Sequence, residues 1–189
     1  METIKDQQEL LLHISETIGK SKVLKLTDIL YNRNFAISNL VPITFHPKRE
    51  IAFRAAWLLE NLILSNPAKY VNDIEQICEA FPKVTNKSCL RHYTKTIMHL
   101  TAPQADKLVK SKLCTIDMEQ VIERCFELII DKNSPVAVKA FSSQVLFNLR
   151  CRHNWIAEVL TDQIKIMMDG GEPAIKAKGR KLLSYLVCD

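Results

Sequence analysis

Apolar residues recur at steps of three and four along most of the chain, and polar residues fill the positions between them. That period is typical of helices that bury one face. No window shows a sustained alternation of apolar and polar residues between turn signals, so the sequence predicts no strand. The helices predicted in this way span residues 5–18, 22–32, 35–41, 50–65, 68–81, 86–101, 117–131, 135–150, 155–169 and 172–187.

Proline marks most of the breaks between the predicted helices. Pro135 and Pro173 fall in the first turn of a helix, where the missing N–H removes no hydrogen bond. The segment Ala102–Thr115 has no helical assignment and is predicted to be a loop, so that residues 102–116 form an insertion between helices.

One register of apolar residues returns along the chain. Its copies begin at Ile51, Leu90, Val138 and Ile175, so successive starts lie 39, 48 and 37 residues apart. Helices that recur at such intervals are typical of stacked pairs rather than of a bundle. The second residue of each copy is small, which allows neighbouring helices to approach closely. The copies are Ile51, Ala55, Leu58, Leu59, Leu62; Leu90, Thr94, Ile97, Met98, Thr101; Val138, Ser142, Val145, Leu146, Leu149; and Ile175, Gly179, Leu182, Leu183, Leu186.

The turns before two of the copies carry a second signal. Asp131–Pro135 and Asp169–Pro173 each run from an acidic residue to the proline that opens the next helix. The helix then continues as P-V-A-V-K at Pro135–Lys139 and as P-A-I-K at Pro173–Lys176. This combination of a helix, a short turn and a proline-opened second helix resembles the HEAT repeat.

The resemblance covers residues 35–186 well, and it extends over residues 1–34 by pattern only, as N-terminal capping helices. It implies an all-α fold in which residues 1–189 form a single domain. The expected architecture is a right-handed α-solenoid, that is, an α-α superhelix of about five helix pairs. In such arrays the second helix of each pair lines the concave surface.

The net charge of +5 hides a separation of charge between the two kinds of helix. The second helices together carry +7, whereas the first helices carry −8. The resemblance therefore implies a basic concave face and an acidic outer face. The second helices are those predicted at 50–65, 86–101, 135–150 and 172–187, and the first helices are those at 68–81, 117–131 and 155–169.

Basic residues at matching positions of stacked second helices would align across the concave face and focus a positive potential there. Such a face would bind an anion, either nucleic acid or an acidic protein segment. Replacing Arg91 and Lys95 by Glu is predicted to abolish polyanion binding with little change in stability. Alternatively, the basic residues solvate the helices or pair with turn acids as a structural ladder. The candidate binding residues are Lys87, Arg91, Lys95, Lys139, Lys176 and Arg180.

Nothing in the sequence indicates a catalytic site. It contains no G-x-S-x-G, no H-E-x-x-H and no glycine-rich phosphate loop. Adenylosuccinate lyases, an all-helical enzyme class, are far longer and carry a glycine- and serine-rich loop that this chain lacks. Cys89 and His92, three apart on one predicted helix, could face one metal ion, but no second pair at ligand spacing accompanies them. No catalytic residue, metal or cofactor is predicted.

One enzymatic alternative comes from the alkylpurine DNA glycosylases, which are also built from HEAT-like repeats. They use tryptophans and a carboxylate in a basic groove. The matching residues would be Trp57 and Trp155, with Glu60 one turn beyond Trp57. Asn61 stands where an acid would fit equally well, and the apolar neighbours of Trp57 also suit packing between repeats.

The 6 cysteines include no C-x-x-C pair, so they are predicted to be reduced thiols that mostly fill the core. The sequence begins with acids after Met1 and lacks the profile of a secretory signal. No apolar run is long enough to span a bilayer. We therefore expect a cytoplasmic protein without a membrane partner.

Together these features predict a non-enzymatic interaction module or scaffold that binds a partner on its basic concave face. A protein partner is expected first, and nucleic acid is the alternative. A purely structural scaffold for a partner helix is the second alternative. The salt dependence of binding separates a phosphate-binding face from an apolar groove for a helix.

Overall fold

The computed structural model of the protein describes residues 7–16 and 19–186. Every regular element in these residues is a helix, so the all-α prediction is confirmed. Short 3-10 helices occur at Val41–Phe45, Pro67–Asp73 and Phe81–Lys83. The α-helices are α1 (Gln7–Glu16), α2 (Lys20–Asn32), α3 (Ile37–Leu40), α4 (Arg49–Ser65), α5 (Ile74–Ala80), α6 (Lys87–Leu100), α7 (Lys107–Thr115), α8 (Glu119–Ile130), α9 (Val136–Leu149), α10 (Asn154–Met168) and α11 (Pro173–Leu186).

The helices are stacked in two layers. In one layer α4, α6, α9 and α11 lie side by side, each in contact with the next. In the other layer α5, α8 and α10 follow one another in the same way, and α8 and α10 pack against α9. α1 and α2 contact α4 at the N-terminal end of the stack. The predicted alternation of first and second helices is present from α4 onward.

The repeated register forms the core between the layers. All residues of the copies that begin at Ile51 and Val138 are buried. In the other copies the last two positions of Leu90–Thr101 and the last of Ile175–Leu186 are half-buried, as is Leu183. The periodicity therefore identifies the buried face of every second helix, and burial is complete in the copies that begin at Ile51 and Val138.

The small second residue of the register matters most in α11. Gly179 is buried there against α10. A β-carbon at Gly179 would lie 2.4 Å from Sδ of Met168 and 3.0 Å from Cγ2 of Ile164. Glycine thus permits the close approach of α11 to α10 that the sequence pattern predicts.

The loop predicted at Ala102–Thr115 is wrong over most of its length, because residues Lys107–Thr115 form helix α7. The Asp106 carboxylate caps this helix by accepting a 2.7 Å hydrogen bond from the backbone N–H of Leu108. Val109 and Leu113, four residues apart, are buried, and α7 contacts α5 and the 3-10 helix before it. The lysines around this apolar pair obscured its helical spacing.

Two other predicted helices are shorter than expected. The helix predicted at 68–81 is a 3-10 helix at Pro67–Asp73, with a non-helical residue at Tyr70, followed by the short α5. The helix predicted at 35–41 is α3, continued by a 3-10 helix that contains a proline near its start. The ends of the helices predicted at 5–18 and 172–187 lie outside the described residues.

The cysteines divide between the core and the surface. Burial raises the pKa of the thiols of Cys78, Cys89 and Cys125 to about 12, so these thiols stay protonated. Cys114 and Cys151 are exposed. Cys188 lies outside the described residues. Among the described helices, none has both the length and the apolar character needed to cross a membrane.

Candidate functional site: a groove on the second-helix layer

A groove of about 580 Å³ lies where α4, α6 and α9 meet at the surface. Phe53 and Trp57 of α4 and Phe141 of α9 supply its aromatic surface. Glu60 and His92 contribute buried polar groups. The cations that line it are Lys87, Arg91 and Lys95 of α6. We call this surface the aromatic groove.

The aromatic side chains of the groove contact one another across α4 and α6. Phe53 and Trp57 are four residues apart on α4, so their rings lie on the same helix face, with centroids 5.7 Å apart. The His92 ring packs against both, at 5.3 Å from Phe53 and 6.1 Å from Trp57, and it is stacked on the indole with an interplanar angle of 19°. These rings form a continuous surface in which Phe53 and Trp57 are half-buried and His92 is buried.

Glu60 joins α4 to α6 at the base of the groove. Its Oε2 lies 2.7 Å from Nδ1 of His92, and its Oε1 accepts a 2.6 Å hydrogen bond from Nζ of Lys95. His92 and Lys95 are three residues apart on α6, so both reach the same carboxylate. Only 6% of Glu60 is exposed, so its charge would be costly without these partners.

The pKa of Glu60 reflects a balance between burial and these two contacts. Burial raises the pKa of Glu60. The hydrogen bonds from His92 and Lys95, together with the charges of these residues, lower it by more than burial raises it, so the pKa lies below its ordinary value. Glu60 is therefore ionised at neutral pH. Its charge is neutralised within the groove by Lys95, and a ligand meets little repulsion from it.

The structure brings together half of the six predicted binding residues. Lys87, Arg91 and Lys95 line the aromatic groove. The Lys95 ammonium is engaged by Glu60, and Nζ of Lys87 donates a 2.9 Å hydrogen bond to the carbonyl of Asn133. Arg91 is exposed, and its guanidinium has no hydrogen-bond or ion-pair partner among the described residues, so it is the cation most available to a ligand.

The other predicted residues do not line this groove. Lys139 lies near Asp131, in the turn before α9, and this carboxyl has a pKa lowered first by the backbone N–H of Asn133 and also by Lys87 and Lys139. That position matches the alternative of a structural ladder. Lys176 is half-buried and Arg180 is exposed on α11. On α11 it is instead Lys178 that reaches α9, where its ammonium donates to Oε1 of Gln144.

Sequence analysis missed the aromatic part of the site. The sequence identifies neither Phe53 nor Phe141 as a site residue, and it favours a packing role for Trp57. The spacing of Phe53 and Trp57 shows that they share a face, but the sequence does not tell whether a neighbouring helix covers that face. It also gives no sign that the Glu60 carboxylate is paired.

The two tryptophans lie on different layers of the stack. Trp57 lines the aromatic groove, whereas Trp155 of α10 packs against Phe126 and His153, with ring centroids 5.5 and 6.3 Å away. A base-binding site that needs both tryptophans beside Glu60 is therefore not assembled, and Glu60 already has two partners.

Cys89 and His92 have separate partners despite their spacing. The Cys89 thiol lies 3.8 Å from the carbonyl of Thr44, with which it hydrogen-bonds, and His92 contacts Glu60. Within the described residues no group of three or more His, Cys, Asp or Glu side chains is placed to hold a metal ion. The groove offers aromatic faces and cations.

Comparison with known families identifies the repeat. A family model described as HEAT repeat domain matches residues 11–186, which is most of the chain. No curated protein and no solved structure matches it. HEAT repeats generally mediate protein interactions.

Proposed function

The chain belongs to the HEAT repeat domain family, and from this we propose that it is a non-enzymatic interaction module whose aromatic groove binds an acidic segment of a partner protein. One observation carries the proposal. The half-buried rings of Phe53, Trp57 and Phe141 lie beside the unpartnered guanidinium of Arg91. Aromatic side chains and arginine are the residues that most often dominate the energy of protein interfaces.

The partner is inferred to carry apolar side chains because covering the aromatic surface of the groove with them removes apolar area from water. Trp57 and Phe141 are held by α4 and α9, so little conformational entropy is lost when a ligand side chain packs on them. A volume of about 580 Å³ suits one or two large side chains of a bound segment.

The partner is inferred to be acidic because the groove has a positive rim. Lys87 and Arg91 are exposed at this rim. Glu60 does not offset them, since Lys95 neutralises it at the base. A carboxylate of the ligand could form a bidentate pair with Arg91.

Nucleic acid is the second candidate ligand. Trp57 and Phe141 could stack on unpaired bases, with Arg91 on a phosphate. Against it, Lys139, Lys176 and Arg180 do not extend the row of cations in the groove. A phosphate ligand gives an affinity that falls steeply with salt, whereas an aromatic groove for a protein segment retains much of its affinity.

The test is fluorescence anisotropy with two labelled probes, a peptide that mixes Asp, Glu, Leu and Phe, and a short single-stranded DNA. Arg91→Glu and Phe141→Ser should each weaken peptide binding by about tenfold. Arg180→Glu, a charge reversal of the same size outside the groove, should change it by less than about twofold.

Each outcome of this experiment bears on one alternative. Equal losses from Arg180→Glu and Arg91→Glu would favour the wider basic face over the groove. DNA binding that is tighter than peptide binding and collapses at moderate salt would favour nucleic acid. Unchanged peptide binding by both groove variants would refute the proposal.

A further inference from the structure

The layer of first helices carries a second depression, of about 770 Å³, between α8 and α10. Its floor is apolar, formed by Phe126 and Ile130 of α8 and by Trp155 and Val159 of α10. Its rim holds the carboxylates of Glu123, Glu127 and Asp131. We call this surface the outer patch.

The apolar side chains of the outer patch are unusually open to water. Ile130 is 57% exposed, Trp155 is 45% exposed and Val159 is 38% exposed. Phe126 lies beneath them, with its ring centroid 5.5 Å from that of Trp155. Single exposed apolar residues are common in proteins, but a contiguous group rimmed by polar residues usually marks an interaction site.

The shape of the outer patch follows from the spacing on its two helices. Phe126 and Ile130 are four residues apart on α8, and Trp155 and Val159 are four apart on α10. Each pair therefore stands on one helix face, and the contact between α8 and α10 places the two pairs side by side. The result is a short trough about one helical turn long, roughly 6 Å.

The charged residues that line the trough are all of one sign. Three of its lining residues are acidic and none is basic. Glu123 has no ion-pair partner among the described residues. Glu127 pairs with Arg124 on the same helix, with 2.7 Å between its Oε2 and Nη1 of Arg124, and the Glu127 side chain remains 63% exposed. Asp131, at one end, also feels Lys87 and Lys139. A ligand that covers the trough is therefore favoured if it carries positive charge beside its apolar side chains.

From these observations we propose that the outer patch is a second docking surface, which binds a basic amphipathic segment of a partner protein. Two apolar side chains of the segment, three or four residues apart, fill the trough between Ile130 and Trp155. Lysine or arginine residues beside them pair with Glu123 and Glu127. The proposal stands independently of the aromatic groove, with which the outer patch shares no lining residue.

The probes for the test are three labelled synthetic helical peptides with the same backbone pattern. One carries Leu and Trp at the apolar positions and Lys and Arg around them, the second has Glu in place of the basic residues, and the third has Ser in place of the apolar ones. Anisotropy titrations of the 189-residue protein should show binding of the first peptide at least about tenfold tighter than of either other peptide.

Variants of the patch have matched controls elsewhere. Trp155→Ala and Ile130→Ser should weaken binding of the basic amphipathic peptide by about tenfold, as loss of a buried anchor does. Ile166→Ser replaces an equally exposed isoleucine of α10 outside the patch and should change it by less than about twofold. Glu123→Lys should weaken it about fivefold, and Glu79→Lys on α5 should not.

Several outcomes would overturn the proposal. Equal binding of the acidic peptide would remove the charge argument, and unchanged binding by Trp155→Ala and Ile130→Ser would place the peptide elsewhere. Sedimentation of the protein alone is the remaining arm. If the protein self-associates and Trp155→Ala makes it monomeric, the patch serves a second copy of this chain and the proposal of a partner segment is wrong.

Discussion

Glu60 is the residue on which the aromatic groove depends, because its carboxylate connects α4 to two side chains of α6. It is nearly buried and ionised, and both of its oxygens are engaged. Its contribution to stability therefore depends on its charge. A neutral amide of the same shape has only one accepting oxygen, so it cannot accept from both His92 and Lys95, and it carries no charge to pair with the Lys95 ammonium.

Glu60→Gln should lower the free energy of unfolding at neutral pH by about 1–3 kcal/mol. The pKa of Glu60 is below its ordinary value of 4.5 in the folded protein. Its contribution is thus fully present above pH 4.5 and is lost as the pH falls through the lower folded value. Urea unfolding at a series of pH values should show the difference between wild type and variant narrowing below pH 4.5.

Glu75→Gln is the matched control for this prediction. Glu75 also pairs with a lysine, Lys112, at 2.7 Å, but half of its side chain is exposed. An exposed pair contributes less than about 1 kcal/mol, so this variant should have little effect at neutral pH. A Glu60→Gln loss no larger than that of Glu75→Gln would show that burial does not strengthen the Glu60 contacts.

Lys95→Glu should be far more damaging to stability than Arg91→Glu, although both reverse one charge of α6. Lys95→Glu removes a partner of Glu60 and places a second carboxylate beside it, which should cost about 3 kcal/mol. Arg91 is exposed and should change stability by less than about 0.5 kcal/mol. Thermal unfolding of the single variants measures both, and equal melting temperatures would contradict the structure around Glu60.

This expectation revises the one drawn from sequence for the pair of substitutions. The sequence predicts little change in stability for Arg91→Glu combined with Lys95→Glu, because it shows no buried partner for either cation. The contact between Lys95 and Glu60 changes that expectation for Lys95 alone. Arg91→Glu is the cleaner probe of binding.

At the scale of elements, α7 shows how a short helix is added to a repeat. It has only 9 residues, so its helical propensity alone would not hold it. Its position depends on the cap at Asp106 and on the burial of Val109 and Leu113, whereas the exposed ion pair between Lys112 and Glu75 adds little.

Asp106→Ala should therefore destabilise α7 by about 1 kcal/mol, because the N–H of Leu108 loses its acceptor. Hydrogen exchange should reveal faster exchange of α7 amides, with α9 amides unchanged. Asp162→Ala is a suitable control, since Asp162 lies within α10 and, among the residues that the structure describes, its side chain makes only an exposed ion pair with Lys165. Equal effects of both variants on α7 would argue against a capping role.

At the scale of the whole molecule, stability is expected to be a sum of contacts between neighbouring repeats. From the sequence alone, truncating Leu59, Leu146 or Leu183 to Ala is expected to have the same cost, about 2–5 kcal/mol, because all three occupy the same position of the repeated register. The structure separates them, since Leu59 and Leu146 are buried, whereas Leu183 of α11 is half-buried.

Leu146→Ala should cost about 2–5 kcal/mol, and Leu183→Ala should cost less than half as much. Leu146 lies in α9, between α6 and α11, so its loss weakens the middle of the stack. Leu183 affects only the last repeat, which should unfold locally before the rest. Chemical denaturation measures the decrease in the free energy of unfolding for each variant. Similar decreases for Leu146→Ala and Leu183→Ala would show that the last repeat does not unfold before the rest of the stack.

The sequence predicted the helices, the repeat and the separation of charge because these properties are local or periodic. In each copy of the register, the spacing of the apolar residues is enough to identify the buried face of the helix, as in Val138–Leu149. The helix assignment was wrong at α7, where lysines surround the apolar pair Val109 and Leu113, and the predicted helix was too long at α5, which has only 7 residues. For the aromatic groove, the sequence predicted the cations of α6 but not the aromatic side chains beside them.

The sequence by itself determined that this chain is an all-α HEAT repeat protein with oppositely charged helix layers, because period, turn residues and charge can each be read along one helix. Only the tertiary structure decided which side chains meet. Glu60 finds His92 and Lys95 on another helix, and Trp155 lies beside Ile130 across α8 and α10. Such contacts depend on how far one helix is shifted and rotated against the next, and that offset is set by the packing of the whole stack.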